Sequence, residues 1–106
     1  MFACDYHIHT RLSPCASRDF DIEKIIQLQQ EQEMKEIGIA DHDYGYGYKS
    51  KNIEAVRKII KKCEPSISVH LGVESHILEH RVASINIQLA SYFDYVLMIF
   101  DDVRFF

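Results

Sequence analysis

The chain has 106 residues, 47% hydrophobic and 26% charged, which is the composition of one globular domain that can bury a core. Its net charge of −4 and isoelectric point near 5.8 do not favour a stable nucleic-acid partner and leave nucleic acid only as a substrate. Its three cysteines include no Cys-x-x-Cys pair, so they indicate neither a disulfide framework nor a zinc ribbon. The sequence shows no signal-peptide pattern and no membrane-spanning run, and it therefore predicts a cytoplasmic protein without a membrane partner.

The first predicted strand covers residues 2–9 and carries two histidines at its carboxyl end. Side chains alternate along a strand, so we expect Asp5, His7 and His9 on one face. Two imidazoles on a fixed strand can share a metal ion, although a His-x-His pair also occurs as ordinary half-buried packing.

Strands and helices alternate along the rest of the chain, which predicts parallel strands joined by right-handed crossovers. Loops rich in glycine, proline and serine separate them. In chain order we predict a strand at 2–9, a helix capped by Asp21, a strand at 36–40, a helix capped by Ser50 or Asn52, a strand at 67–74, a helix at 81–91 and an apolar strand at 95–100.

Polar residues gather where each predicted strand ends. Parallel strands bring their carboxyl ends to one edge, where α/β proteins place their chemistry. Imidazoles and carboxylates suit Zn²⁺, Mn²⁺ or Fe²⁺, and a carboxylate can bridge two such ions. Their position at successive strand ends favours a metal site over unrelated polar pairs. The residues are His7 and His9, Asp41 and His42, Glu74 and His76, and Asp101 and Asp102.

These segments together resemble the successive motifs of the polymerase-and-histidinol-phosphatase (PHP) family of metal-dependent phosphoesterases. The resemblance spans essentially the whole chain, in order, and rests on residues 5–10, Ser13-Pro14, residues 39–42 and residues 72–74. It implies a distorted (β/α)₇ barrel with two or three divalent ions. We therefore expect residues 1–106 to form one partial PHP domain, an incomplete TIM-like barrel of four parallel strands and three helices.

The resemblance also implies roles for individual residues. The positions of His7 and His9 bind one metal ion, His42 contributes to another, and Glu74 bridges the two. Asp41 does not bind an ion itself but orients a residue that does, and Asp41 and His42 form the expected catalytic pair.

The chain departs from the family pattern at several positions. Cys15 stands where several relatives carry a histidine or an acid, so it is either a thiolate ligand or a buried inert thiol. Asp101 is an expected oxygen ligand where the family often supplies a histidine. Relatives continue for three more strands, with another histidine and an Asp-x-His pair. His76 is interpreted as an exposed loop histidine, with a role at the mouth of the site as the alternative.

The predicted function is hydrolysis of a phosphorylated small molecule by a metal-activated water, as in histidinol phosphatases. The main alternative is a truncated or noncatalytic PHP-like domain that acts as an interaction module or is completed by another chain. An exposed strand edge would favour such a partner or self-association. A less favoured alternative is an amidohydrolase-type hydrolase, which also places His-x-His at the end of a first barrel strand.

Overall fold

The computed structural model describes residues 4–10, 21–77 and 84–100. Strands and helices alternate in these residues, as predicted. None of the helices within the described ranges is long and apolar enough to cross a membrane. The strands are β1 (Cys4–Ile8), β2 (Glu36–His42), β3 (Ser68–Ile77) and β4 (Tyr95–Phe100), and the helices are α1 (Ile22–Glu31), α2 (Ser50–Lys62) and α3 (Ile87–Ala90), with a 3-10 turn at Asp43–Tyr46.

The four strands form one parallel sheet in which the spatial order follows the chain, β1-β2-β3-β4. Each crossover between neighbouring strands contains a helix, which is the repeating unit of an α/β barrel. The sheet is curled and carries the helices on one face. The predicted fold class, part of a TIM-like barrel, is confirmed for this part of the chain.

The two faces of the sheet differ in chemistry because side chains alternate along β2 and β3. The face under the helices carries Ile37, Ile39, Leu71 and Val73, each at most 1% exposed, which pack with α1 and α2 in the core. The opposite face, here called the polar face, carries small, acidic and imidazole side chains. Its residues on β2 and β3 are Glu36, Gly38, Ala40, His42, His70, Gly72, Glu74 and His76.

The two longer helices begin differently. Asp21 caps α1 as predicted, with its Oδ1 accepting a hydrogen bond from Lys24 N at 2.9 Å. Neither predicted cap serves α2: Ser50 is already helical, and Asn52 Nδ2 instead donates to Tyr46 O at 2.7 Å. Asn52 therefore ties the helix to the preceding turn.

The third helix is shorter than the prediction of 81–91, whose described part begins at Ser84. Ser84 and Ile85 are not helical, and α3 starts only after Asn86. Ser84 Oγ donates to Asp43, and Ser84 N donates to His76 O at 2.8 Å. These tertiary bonds to Asp43 and to β3 hold Ser84 outside the helix.

Gly72 leaves room for the ring of Tyr95, which lies across the polar face. The Tyr95 hydroxyl donates to Tyr6 O at 2.6 Å, and a Cβ at Gly72 would overlap the ring. We expect Gly72→Ala to lower the free energy of unfolding by about 1–3 kcal/mol, because the ring must leave its place. Urea denaturation measures this. In a Tyr95→Ala background the same methyl group should have little effect, and an equal loss in both backgrounds would contradict the packing argument.

Candidate metal centre

A buried carboxylate, Glu74, lies towards the carboxyl end of the polar face with four imidazoles around it. Its side chain is 7% exposed, and the sheet register pairs it with His42. Glu74 Oε1 is 2.5 Å from His7 Nε2 and 3.6 Å from His9 Nε2. Glu74 Oε2 is 2.5 Å from His42 Nδ1 and 3.9 Å from His76 Nε2. Each carboxylate oxygen therefore has its own pair of imidazoles.

A bulge in β1 sets the position of the first pair. Asp5 is aligned with Ile37 and Ile8 with Ile39, so three steps along β1 match two steps along β2. Asp5 Oδ1 accepts a hydrogen bond from His7 N at 2.9 Å. The expectation that Asp5 shares a face with the two histidines is wrong, because the extra residue shifts the alternation and aligns Asp5 with the helix-covered face.

The donor atoms fall into two groups that share Glu74. One group is His7, His9 and Glu74, the other is His42, Glu74 and His76, and within each group the donor atoms lie within 4.8 Å of one another. Two atoms bound to one tetrahedral zinc ion are about 3.4 Å apart. The 3.6 Å separation in the first group and the 3.3 Å between the two imidazole nitrogens of the second suit this spacing. The 2.5 Å contacts of His7 and His42 with Glu74 are shorter than this spacing and would lengthen around an ion. The donor set therefore suits two divalent ions with a shared carboxylate.

The imidazole of His42 is held between two other rings. It stacks on Tyr44 with 5.0 Å between centroids and 10° between planes, and on His76 with 5.4 Å and 7°. Burial lowers the pKa of His42, although the Glu74 carboxylate opposes this shift. A lowered pKa favours the neutral imidazole, which is the form that binds metal ions.

Asp41 lies behind the centre rather than in it. It is fully buried and is aligned with Val73, so it projects to the helix-covered side. Its Oδ1 accepts from Thr10 N and its Oδ2 from Thr10 Oγ1, each at 2.6 Å. This arrangement supports the implied orienting role, since Thr10 follows His9 directly. The expected catalytic roles of Asp41 and His42 stay predictions.

His76 belongs to the centre, and its interpretation as a loop residue is wrong. β3 continues to Ile77, so His76 is a strand residue, and its side chain is 33% exposed. The predicted strand ends at Glu74, so the alternation of side chains along a strand was not applied to the residues after it. The available signal was the spacing of two between Glu74 and His76, which puts both on one face of a longer strand.

Asp43 supports the centre indirectly and is not among the residues predicted from the sequence. It is 2% exposed, and its Oδ2 accepts from Ser75 Oγ at 3.1 Å and from Ser84 Oγ. Tyr48 OH donates to Oδ1 at 3.3 Å. Ser75 precedes His76, so this network supports the end of β3. No spacing in the sequence distinguishes Asp43 from an ordinary turn residue.

Two predicted ligands are not among the described residues, and one histidine of the polar face lies apart from the centre. Cys15 and Asp101 fall outside the described residues, so their predicted roles as ligands stay predictions. His70 shares the polar face but pairs with Glu36 at 2.5 Å, near the amino ends of the strands. Hydrogen bonds from Tyr6 and His70 lower the pKa of Glu36, and the bond to Glu36 raises the pKa of Tyr6 to about 12. These three residues form a separate polar cluster.

The fold and the donor set define an α/β protein of the TIM-like barrel class with a candidate metal centre at its strand ends. A family model described as PHP domain matches residues 5–101. The chain therefore belongs to the PHP domain family, a family of metal-dependent phosphoesterases. Comparisons with curated proteins and with solved structures give no significant match.

Proposed function

We propose that this chain is a metal-dependent phosphoesterase whose two divalent ions share Glu74. The observation that carries the proposal is the position of this buried carboxylate, with His7 and His9 at one oxygen and His42 at the other. Membership of the PHP family supports a phosphoester substrate and argues against the amidohydrolase alternative. The ion is proposed to be zinc, manganese or iron, because imidazole and carboxylate ligands suit these metals.

In the proposed centre the protein supplies position, burial and access. His7, His9 and Glu74 would hold one ion, and His42 and Glu74 would hold the other. Bound divalent ions lower the pKa of a coordinated water and neutralise charge on the phosphoryl oxygens. The side chain of His7 is 47% exposed, whereas that of Glu74 is 7% exposed. Substrate would therefore reach the centre from the side on which His7 lies. The buried carboxylate stays shielded from bulk water.

The proposed substrate is a phosphorylated small molecule, as in histidinol phosphatases. A chain with a net charge of −4 offers no general attraction for a polynucleotide backbone, so nucleic acid enters the proposal only as a substrate. The cytoplasmic location stays a prediction.

A noncatalytic interaction module is the second candidate function. β1 and β4 are the edges of the described sheet, and Met98 on β4 is 48% exposed. Unpaired strand edges with apolar side chains favour pairing with another chain. Self-association, or binding of a partner chain, at the β4 edge stays a prediction. Turnover of a phosphoester by the metal-loaded chain separates the two functions, because an interaction module would show none.

We expect His7→Ala to lose one bound ion per chain and to lower phosphatase activity by about a hundredfold or more, because one donor of a three-donor group is removed. Metal content by mass spectrometry and hydrolysis of p-nitrophenyl phosphate are the measurements, beside an amidase and esterase screen. His70→Ala is the matched control, since His70 lies on the same sheet face but pairs with Glu36. Wild-type protein from metal-replete medium with no bound transition metal would contradict the proposal.

A further inference from the structure

We propose that His76 is a metal ligand and completes a three-donor position with His42 and Glu74. This inference rests on the proposed metal centre and adds a ligand to it. His76 Nε2 is 3.3 Å from His42 Nδ1 and 3.9 Å from Glu74 Oε2. The donor atoms of all three residues lie within 4.8 Å of one another.

Protons alone satisfy this arrangement poorly. If His42 Nδ1 carries a proton, it donates to Glu74 Oε2 at 2.5 Å and presents no lone pair to His76. If His76 Nε2 carries a proton instead, it donates to His42 Nδ1 at 3.3 Å, but Nδ1 then has no proton for the Glu74 oxygen 2.5 Å away. A single proton can serve one of these pairs, whereas a cation accepts lone pairs from all three atoms. The geometry therefore matches a cation better than a hydrogen-bond network.

The backbone of His76 is held on both sides, so its imidazole enters the position with little freedom left to lose. On one side, His76 N donates to Ser84 Oγ at 3.0 Å, and Ser84 N donates to His76 O at 2.8 Å. On the other side of β3, His76 is aligned with Ile99 of β4. The ring lies nearly parallel to that of His42, with 7° between the two planes. Ligands held in this way bind metal more tightly than mobile ones.

With His76 included, the two positions become equivalent in their donors. Each then has two imidazole nitrogens and one oxygen of the shared carboxylate of Glu74. Among the described residues each ion would then have three donors, which is the number of protein ligands in catalytic rather than structural zinc sites. Without His76, the second position would have only His42 and Glu74 among the described residues.

The test compares His76→Ala with His70→Ala, which removes a histidine from the same strand and the same face six residues earlier. Each protein is loaded with zinc and dialysed, and its zinc content and zinc affinity are measured by mass spectrometry and calorimetry. Wild-type protein and His70→Ala should retain two ions per chain. His76→Ala should retain one tightly bound ion and bind the second at least about tenfold more weakly. His76→Gln, which keeps a polar side chain of similar length, should show the same selective loss.

The outcomes separate the two proposals. Two ions of unchanged affinity in both His76→Ala and His76→Gln would overturn the assignment of His76 and leave the metal centre standing. Absence of bound zinc from the wild-type protein would overturn the metal centre itself. A reciprocal result, in which His7→Ala loses the other ion and keeps the one at His42 and His76, would support both. Circular dichroism establishes that each variant is folded.

Discussion

Glu74→Gln is expected to release both metal ions and to lower phosphoesterase turnover by about a thousandfold, equivalent to about 4 kcal/mol of transition-state stabilisation. One carboxylate lies in both donor groups, so its substitution affects two ions where loss of a single histidine affects one. Glutamine keeps the size of the side chain but lacks the negative charge that offsets two divalent cations in a buried place. Metal content and turnover of p-nitrophenyl phosphate measure the two effects together.

Glu36→Gln is the matched control for this substitution. Glu36 also lies on the polar face and is also 2.5 Å from an imidazole, that of His70, but it belongs to neither donor group. This variant should keep both ions and near-normal turnover. Equal losses in the two variants would mean that any glutamate–histidine pair on this face affects the protein alike, which would contradict the special role of Glu74.

Much of the fold follows from short-range patterns that the sequence shows directly. The alternation of strands and helices predicts the parallel order, because each crossover needs a helix of its own. Asp21 is recognisable as a cap from its position before an apolar helical pattern. The convergence of His7, His42 and Glu74 follows from the rule that parallel strands bring their carboxyl ends to one edge. The structure brings these three residues together as expected.

The predictions that are wrong concern residues at which tertiary contacts override the local sequence pattern. The bulge in β1 turns Asp5 away from the histidines, and a strict alternation cannot anticipate an inserted residue. Ser84 gives up helical geometry because its hydroxyl reaches Asp43, which is 41 residues away in the sequence. β3 continues past Glu74 because β4 pairs with it as far as Ile77. Strand length is therefore decided by the neighbouring strand, and this is why His76 is a strand residue rather than the predicted loop residue.

Asp41→Asn is expected to lower the free energy of unfolding by about 2–3 kcal/mol and to weaken metal binding at His7 and His9 by about tenfold. An asparagine can present only one acceptor oxygen, so its amide nitrogen would face a donor of Thr10 and leave a buried hydrogen bond unmade. β1 ends at Ile8, so the segment that carries His9 depends on this anchor. Urea denaturation and zinc calorimetry measure the two losses.

Asp43→Asn provides the comparison, because Asp43 is also buried and lies two residues further along the chain. It holds the hydroxyls of Ser75 and Ser84, so its substitution should destabilise the fold to a similar extent. Its effect on metal binding should fall on the position of His76 instead, because Ser75 and Ser84 support the end of β3. If both variants weakened the same ion, a general loss of stability would explain the result. Opposite selectivity would show that two buried carboxylates, one near the end of β2 and one directly after it, each support a different metal position.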